Sequence, residues 1–296
     1  MTNLEIHDDQ VLDTVSSQVE VEKLATGFAF VEGPVWDRES QHLIFSDIAG
    51  NRMHVWTEAN GIGVYREPSN MANGNAFDAR GRLITCEHAT SRLVRDDGEG
   101  SQTVLASHFE GKELNSPNDV VVRSDGSIFF TDPDSGRKEF WGIPRERELS
   151  FAGVYRLDSD GDLMLLVDDF EIPNGLCFSL DESQLFVNDT KRRHIRHFSV
   201  ADNGSLTGGE VWAELGGGDG ERPPDGMKID SSGTLFCVGP GGIHIFDADA
   251  KRTGVILFPE NVANFAWGGP DLTDLYVTAF TSLYRVALKV PGLPSY

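Results

Sequence analysis

Cysteine is scarce in this chain. Cys86, Cys177 and Cys237 stand far apart, each inside an apolar run. An odd count without close spacing excludes a disulfide framework and a thiolate zinc site, and three buried thiols are expected. Positive charge is also short: 25 Lys and Arg face 47 Asp and Glu, a formal net charge of −22. That balance argues against nucleic acid or an anionic membrane surface as partner, because both would be repelled. No run approaches the ~18 apolar residues that a membrane span needs. Residues 1–20 are polar and acidic, without the basic and apolar segments of a secretory signal, so a cytoplasmic location is expected. Also missing are a His-Glu-x-x-His helix, a nucleophile elbow and a Walker loop. Asp158-Ser159-Asp160-Gly161-Asp162 has its glycine misplaced for a calcium loop and no closing Glu, and reads as a hairpin turn.

Glycine, by contrast, is abundant at 32 residues, which suits a fold of many tight turns. The stretch 116–132 shows the unit from which the chain is built. Ser116-Pro117-Asn118-Asp119 leads into the β-rich run Val120-Val121-Val122. Asp125-Gly126 marks a tight turn, and Ile128-Phe129-Phe130-Thr131 returns to end on Asp132. Variants of this unit recur about every 40 to 55 residues, the period of propeller blades. Their openings are Glu32-Gly33-Pro34, Asn73-Gly74-Asn75, Pro117-Asn118-Asp119, Pro173-Asn174-Gly175, Pro224-Asp225-Gly226 and Asn264-Phe265. Six units of short strands predict an all-β, six-bladed β-propeller. Residues 1–18 read as a loosely ordered arm and residues 19–296 as a single propeller domain. Residues 19–24 are expected to close the ring as the outer strand of the last blade. Two segments break the repeat, 136–152 and 216–224, and long loops on a rigid scaffold often carry function.

The six anchors Glu32, Asn73, Asn118, Asn174, Asp225 and Asn264 share one register, and each carries a side-chain oxygen. In a propeller the innermost strands line the central channel, so equivalent positions converge near the axis. Two carboxylates and several amide oxygens are hard donors, suited to calcium, magnesium or manganese. Glu32, Asn118, Asn174 and Asp225 form the best ligand set, while Asn73 and Asn264 are candidates to line the channel. Three acids, Asp47, Asp132 and Asp189, recur at the ends of second strands. Asp47 reads as structural, whereas Asp132 and Asp189 stay open between turn formers and functional groups. His88 follows a second strand close enough to reach the channel mouth.

These openings resemble the SMP-30/gluconolactonase/luciferin-regenerating family. The resemblance rests on Glu32-Gly33-Pro34-Val35-Trp36, Ser116-Pro117-Asn118-Asp119-Val120, Thr131-Asp132-Pro133, Gly153-Val154-Tyr155-Arg156, Pro173-Asn174-Gly175-Leu176 and Pro224-Asp225-Gly226-Met227. It implies a six-bladed propeller with one divalent cation in the channel, most readily calcium, with magnesium, manganese or zinc as alternatives. Glu32, Asn174 and Asp225 match the family's metal ligands, and Asn118 matches a position that holds metal or substrate. Thr131-Asp132-Pro133 and Cys86-Glu87-His88 look like the bacterial sugar-lactonase branch. The animal branch has an Arg where this chain has Ser116, so that branch's substrate contacts do not carry over. The resemblance implies hydrolysis of a sugar lactone such as glucono-1,5-lactone, with Asp225 as general base and Asp132 or Asp189 as alternatives. Asn73, His88 and Asn118 would hold sugar hydroxyls, and Phe140 and Trp141 would lid the channel. An organophosphate or aryl ester hydrolase on the same metal site, and a non-enzymatic ligand-binding propeller, remain the competing readings. The expected partner is a small-molecule lactone, and the protein a monomer or homodimer.

Overall fold

β-Branched and aromatic runs separated by glycine or Asx turns pair into antiparallel hairpins throughout. The unit at 116–132 shows how. Val120–Val122 pairs with Ile128–Asp132, and Arg123 closes the turn with its N–H on the Ser127 carbonyl at 2.9 Å. Gly126 takes φ +86° there, a conformation that costs glycine little. The computed structural model describes residues 3–218 and 220–294.

Six main sheets follow one another in chain order. The first blade consists of Val31–Asp37, His42–Asp47, Arg52–Thr57 and Gly61–Arg66, and the second of Ala72–Phe77, Leu83–Glu87, Arg92–Gly98 and Ser101–Ala106. Blade three is Val120–Val122, Ile128–Asp132, Ala152–Leu157 and Leu163–Phe170; blade four is Pro173–Phe178, Gln184–Asp189, His194–Val200 and Leu206–Glu214. Blade five contains Met227–Ile229, Leu235–Gly239, Gly242–Phe246 and Arg252–Leu257, and blade six Val262–Gly268, Asp274–Ala279 and Ser282–Ala287. The architecture is a six-bladed β-propeller. A two-residue hairpin, His108–Phe109 with Lys112–Glu113, lies between blades two and three and has no counterpart in the sequence reading.

The ring closes through the N-terminal part of the chain. Glu22–Thr26 pairs with Ser282–Ala287 as the outer strand of blade six, two to three residues later than the expected 19–24. The loosely ordered arm expected over 1–18 is corrected by the pairing seen there. Leu4–Ile6 adds a fifth strand to blade five, opposite Ile256, Val255 and Gly254. The short helical turn Val11–Thr14 follows, and Val11 and Val15 are fully buried beside blades five and six. Three buried aliphatic residues, Leu4, Val11 and Val15, outweigh the polar composition that suggested an exposed arm.

Packing between neighbouring blades makes the core. Trp36 of blade one stacks on Tyr276 of blade six, with ring centres 5.1 Å apart and planes 8° apart. Phe129 meets Phe178 edge-on across blades three and four, and Phe236 meets Trp267 across blades five and six. Inner strands are therefore covered on both faces. Ala72–Phe77 is buried at every position, whereas the outer strand Gly61–Arg66 is exposed or half-exposed throughout. This explains why inner strands lack a clear alternation of apolar and polar residues. The three cysteines are buried and unpaired.

Candidate active site

Inner strands can meet at the axis only where side chains leave room. In four blades the residue after the anchor is glycine. A Cβ on Gly33 would lie 2.0 Å from the Asn73 carbonyl oxygen, and one on Gly74 would lie 2.5 Å from that of Asn118. On Gly175 it would lie 2.3 Å from the Asp225 carbonyl oxygen, and on Gly226 2.2 Å from Asn264 Oδ1. Each glycine thus accepts the anchor of the next blade, and the anchors close into a ring. Blades three and six break the pattern with Asp119 and Phe265, both buried.

A cavity of about 260 Å³ opens above this ring, near the lower end of small-ligand sites. It is lined by Glu32, Asn73, His88, Asn118, Asn174 and Asp225, so every residue singled out as ligand or sugar contact faces one space. Asn264 is not among the lining residues; its Oδ1 accepts the Phe265 N–H at 2.8 Å. Asp132 and Asp189 are not brought to the cavity either. The Asp132 carboxylate accepts the backbone N–H groups of Asn115 and Ser116 at 2.8 and 2.7 Å. Asp189 accepts those of Glu171, Ile172, Lys191 and Arg192 at 2.8 to 3.3 Å. Asp47 does the same for Ala29, Phe30 and Gly50. All three acids tie down the loop entering an inner strand. Burial pushes Asp132 up to about 7 against the pull of those N–H groups.

The electrostatics of the cavity are set by two acids. Glu32 is 4% exposed and accepts the Gly33 N–H at 2.6 Å. Burial, and then the charge of Asp225, hold its carboxyl well above the usual range. Asp225 is also raised by burial, against the charge of Arg222 and a hydrogen bond from Asn174. Asn174 additionally donates to Thr190 Oγ1 at 3.1 Å, and Thr190 donates to the Pro224 carbonyl at 2.8 Å, which links blades four and five behind the acid. Two buried carboxylates, of which Asp225 holds Glu32 up while a hydrogen bond with Glu32 lowers Asp225, form with the bordering amide oxygens a donor set that suits a hard dication. Among the described residues no group of three or more His, Cys, Asp or Glu side chains is placed to hold a metal ion, so a cation here would draw on the amide oxygens as well as the two acids.

His88 is placed by the insertion in blade three. Its Nδ1 lies 2.7 Å from the Trp141 carbonyl oxygen and its Nε2 3.1 Å from Asn73 Nδ2. A carbonyl only accepts, so Nδ1 carries the proton and Nε2 accepts from the Asn73 amide. Burial lowers the imidazole to about 4, in keeping with a neutral ring. His88 therefore holds the Asn73 amide in place at the cavity wall. The insertion is firmly anchored. Arg137, 5% exposed, donates to the Asn115 and Leu114 carbonyls and to Glu113, and Arg145 donates to Ser91 Oγ at 2.5 Å. Trp141 packs edge-on against Phe30 at 4.5 Å and walls the cavity, whereas Phe140 stays half-exposed outside the lining.

Of the lining residues that the sequence reading did not single out, two bear most directly on the site. Arg222, in the 216–224 loop, hydrogen-bonds Asp225 and donates to the Val262 carbonyl at 2.7 Å. Phe30, which lies beneath Trp141, precedes the first anchor by two residues. The spacing of Arg222, three residues before an anchor acid, is the one signal that pointed to it.

Comparison with known proteins identifies the family. Residues 30–281 match the family described as the SMP-30/Gluconolactonase/LRE-like region. The chain belongs to that family. It is 31% identical to a gluconolactonase of Zymomonas mobilis, across 96% of this chain and 85% of the relative. It is 28% identical to a pentonolactonase of Haloferax volcanii, across 83% and 80% of the two chains. Among solved structures, a gluconolactonase from Xanthomonas campestris superposes with a TM-score of 0.88 at 33% identity, covering 96% of this chain and 94% of that one. The family match spans all six anchors, from Glu32 to Asn264.

Proposed function

We propose that this protein is a sugar lactonase that opens an aldonolactone to its aldonic acid, with a divalent cation at the channel axis. The observation that carries the reading is the buried Glu32–Asp225 pair at the base of a cavity ringed by Asn73, Asn118 and Asn174. The lactonase relatives of both the sequence and the structure comparisons support it. A cation held by Glu32, Asp225 and the amide oxygens of Asn118 and Asn174 would polarise the lactone carbonyl as a Lewis acid.

The remaining work falls to the chain itself. Asp225 lines the cavity beside the place of the attacking water and is the acid assigned as proton acceptor from it. The water oxygen bonds to the carbonyl carbon, the ring C–O bond breaks, and the departing ring oxygen takes a proton back. Asn73, oriented by His88, and Asn118 bind sugar hydroxyls. Arg222 offers its guanidinium to the carboxylate that forms. Phe30 and Trp141 close one side of the site and keep bulk water off the reacting carbon.

The reading is tested on a panel of 1,5- and 1,4-aldonolactones, with aryl esters and a phosphotriester alongside. Lactone opening by the wild type is expected, and Glu32→Gln and Asp225→Asn should each lower kcat/KM by about 100-fold or more. Turnover of the esters but not the lactones, or wild-type rates in both variants, would overturn it.

A further inference from the structure

In five of the six blades the inner strand, with the anchor that leads into it, serves two cavities. On Val31–Asp37, Glu32 faces the upper cavity while Val35 and Trp36 line a second one at the other end of the channel. In blade two Asn73 is above, and Asn75 and Ala76 are below. In blade five Asp225 is above, and Lys228 and Ile229 are below. The two cavities share no lining residue.

We propose that the lower mouth is a separate ligand site for a small monocarboxylate with an apolar body. It encloses about 250 Å³, close to the volume of the upper cavity. Its walls are Trp36, Val121, Leu176, Phe178, Ile229 and Trp267. Against them stands Lys228, for which the described residues supply no hydrogen bond or ion pair. The other polar side chains there are engaged. Asn75 donates to the Gly33 and Asn73 carbonyls and accepts from Thr85 Oγ1, and Glu182 is held by Ser124 and Arg123. The buried indole N–H of Trp267 has no acceptor among the described residues, which makes it a second available donor.

An ammonium with no hydrogen bond or ion pair from the described residues, set beside apolar walls, selects an oxyanion, because a charge-assisted bond recovers what desolvation costs. The walls in turn select an apolar body, and the volume restricts it to a short chain or a single ring. The acidity of the protein does not prevent this, since exposed charges beyond about 8 Å are screened at physiological salt. Lys228 acts electrostatically on the buried carboxyl of Asp119, but no ion pair joins the two. The site stands independently of the lactonase reading.

The test uses the full chain with labelled indole N–H groups, titrated with hexanoate and benzoate, and with hexanol and hexylamine as controls. The carboxylates should shift the Trp36 or Trp267 resonance and leave Trp141 in the upper cavity unmoved; the controls should shift neither. Lys228→Met should weaken hexanoate binding about tenfold or more, and Lys228→Arg should retain it. An equal response to hexanol, a shift confined to Trp141, no shift at all, or unchanged binding in Lys228→Met would overturn the proposal. Melting curves of both variants separate lost binding from lost folding.

Discussion

At the scale of single residues, the anchors were legible because three constraints coincide at them. A turn residue fixes the backbone, a strand begins, and the repeat returns the same register six times. Asp119, Arg222 and Phe30 were not legible, since their roles come from packing between blades and from loops. Asp132 and Asp189 show the converse. Their recurrence at strand ends suggested chemistry, yet four or fewer backbone N–H groups satisfy each of them at the foot of a loop. The His88–Asn73 contact makes a specific claim about substrate binding. Asn73→Ala removes the proposed sugar contact but no acid, so KM for an aldonolactone should rise about tenfold while kcat changes little. Steady-state kinetics check this, and a fall in kcat with constant KM would assign Asn73 to the chemical step instead.

At the scale of elements, the glycine that follows an anchor determines how close two blades can come. Gly175→Ala places a methyl group where the Asp225 carbonyl now sits. Backbone must shift, so a loss of about 1–3 kcal/mol in urea unfolding is expected, together with reduced activity. Unchanged stability would show that the inner strands are not in contact there. The closure of blade six has its own signature in Glu260. Burial opposes its ionisation, but hydrogen bonds from Ser282, Tyr284, Lys23 and Thr281 prevail and lower it to about 2. A carboxylate depressed in the folded state stabilises above its unfolded value near 4.5, and that contribution is lost as pH falls toward 2. Glu260→Gln should therefore cost about 1 kcal/mol at pH 7, with the gap from wild type narrowing between roughly pH 4.5 and 2. Thermal melts across that range measure it, and a gap independent of pH would contradict the role. The closing strand itself was foreseen to within two or three residues. The fifth strand Leu4–Ile6 was not, because three residues carry too little pattern to stand out from a polar stretch.

At the scale of the whole molecule, the propeller was legible from its period and turns, whereas the division of the channel into two mouths was not. Inner strands are buried on both faces, so their sequence does not announce which end each side chain serves. Three of its buried acids, Glu32, Asp225 and Asp119, act on one another, with Arg222 beside Asp225 and Lys228 acting on Asp119. Charge of one sign gathered away from water calls for a cation, and the proposed activity depends on it. The direct measurement is a pH-stat assay of lactone opening by the purified protein before chelation, after chelator removal of divalent ions, and after calcium, magnesium, manganese or zinc is restored one at a time. Opening should cease with chelation and return with at least one of these ions. A rate that survives complete chelation would contradict the account.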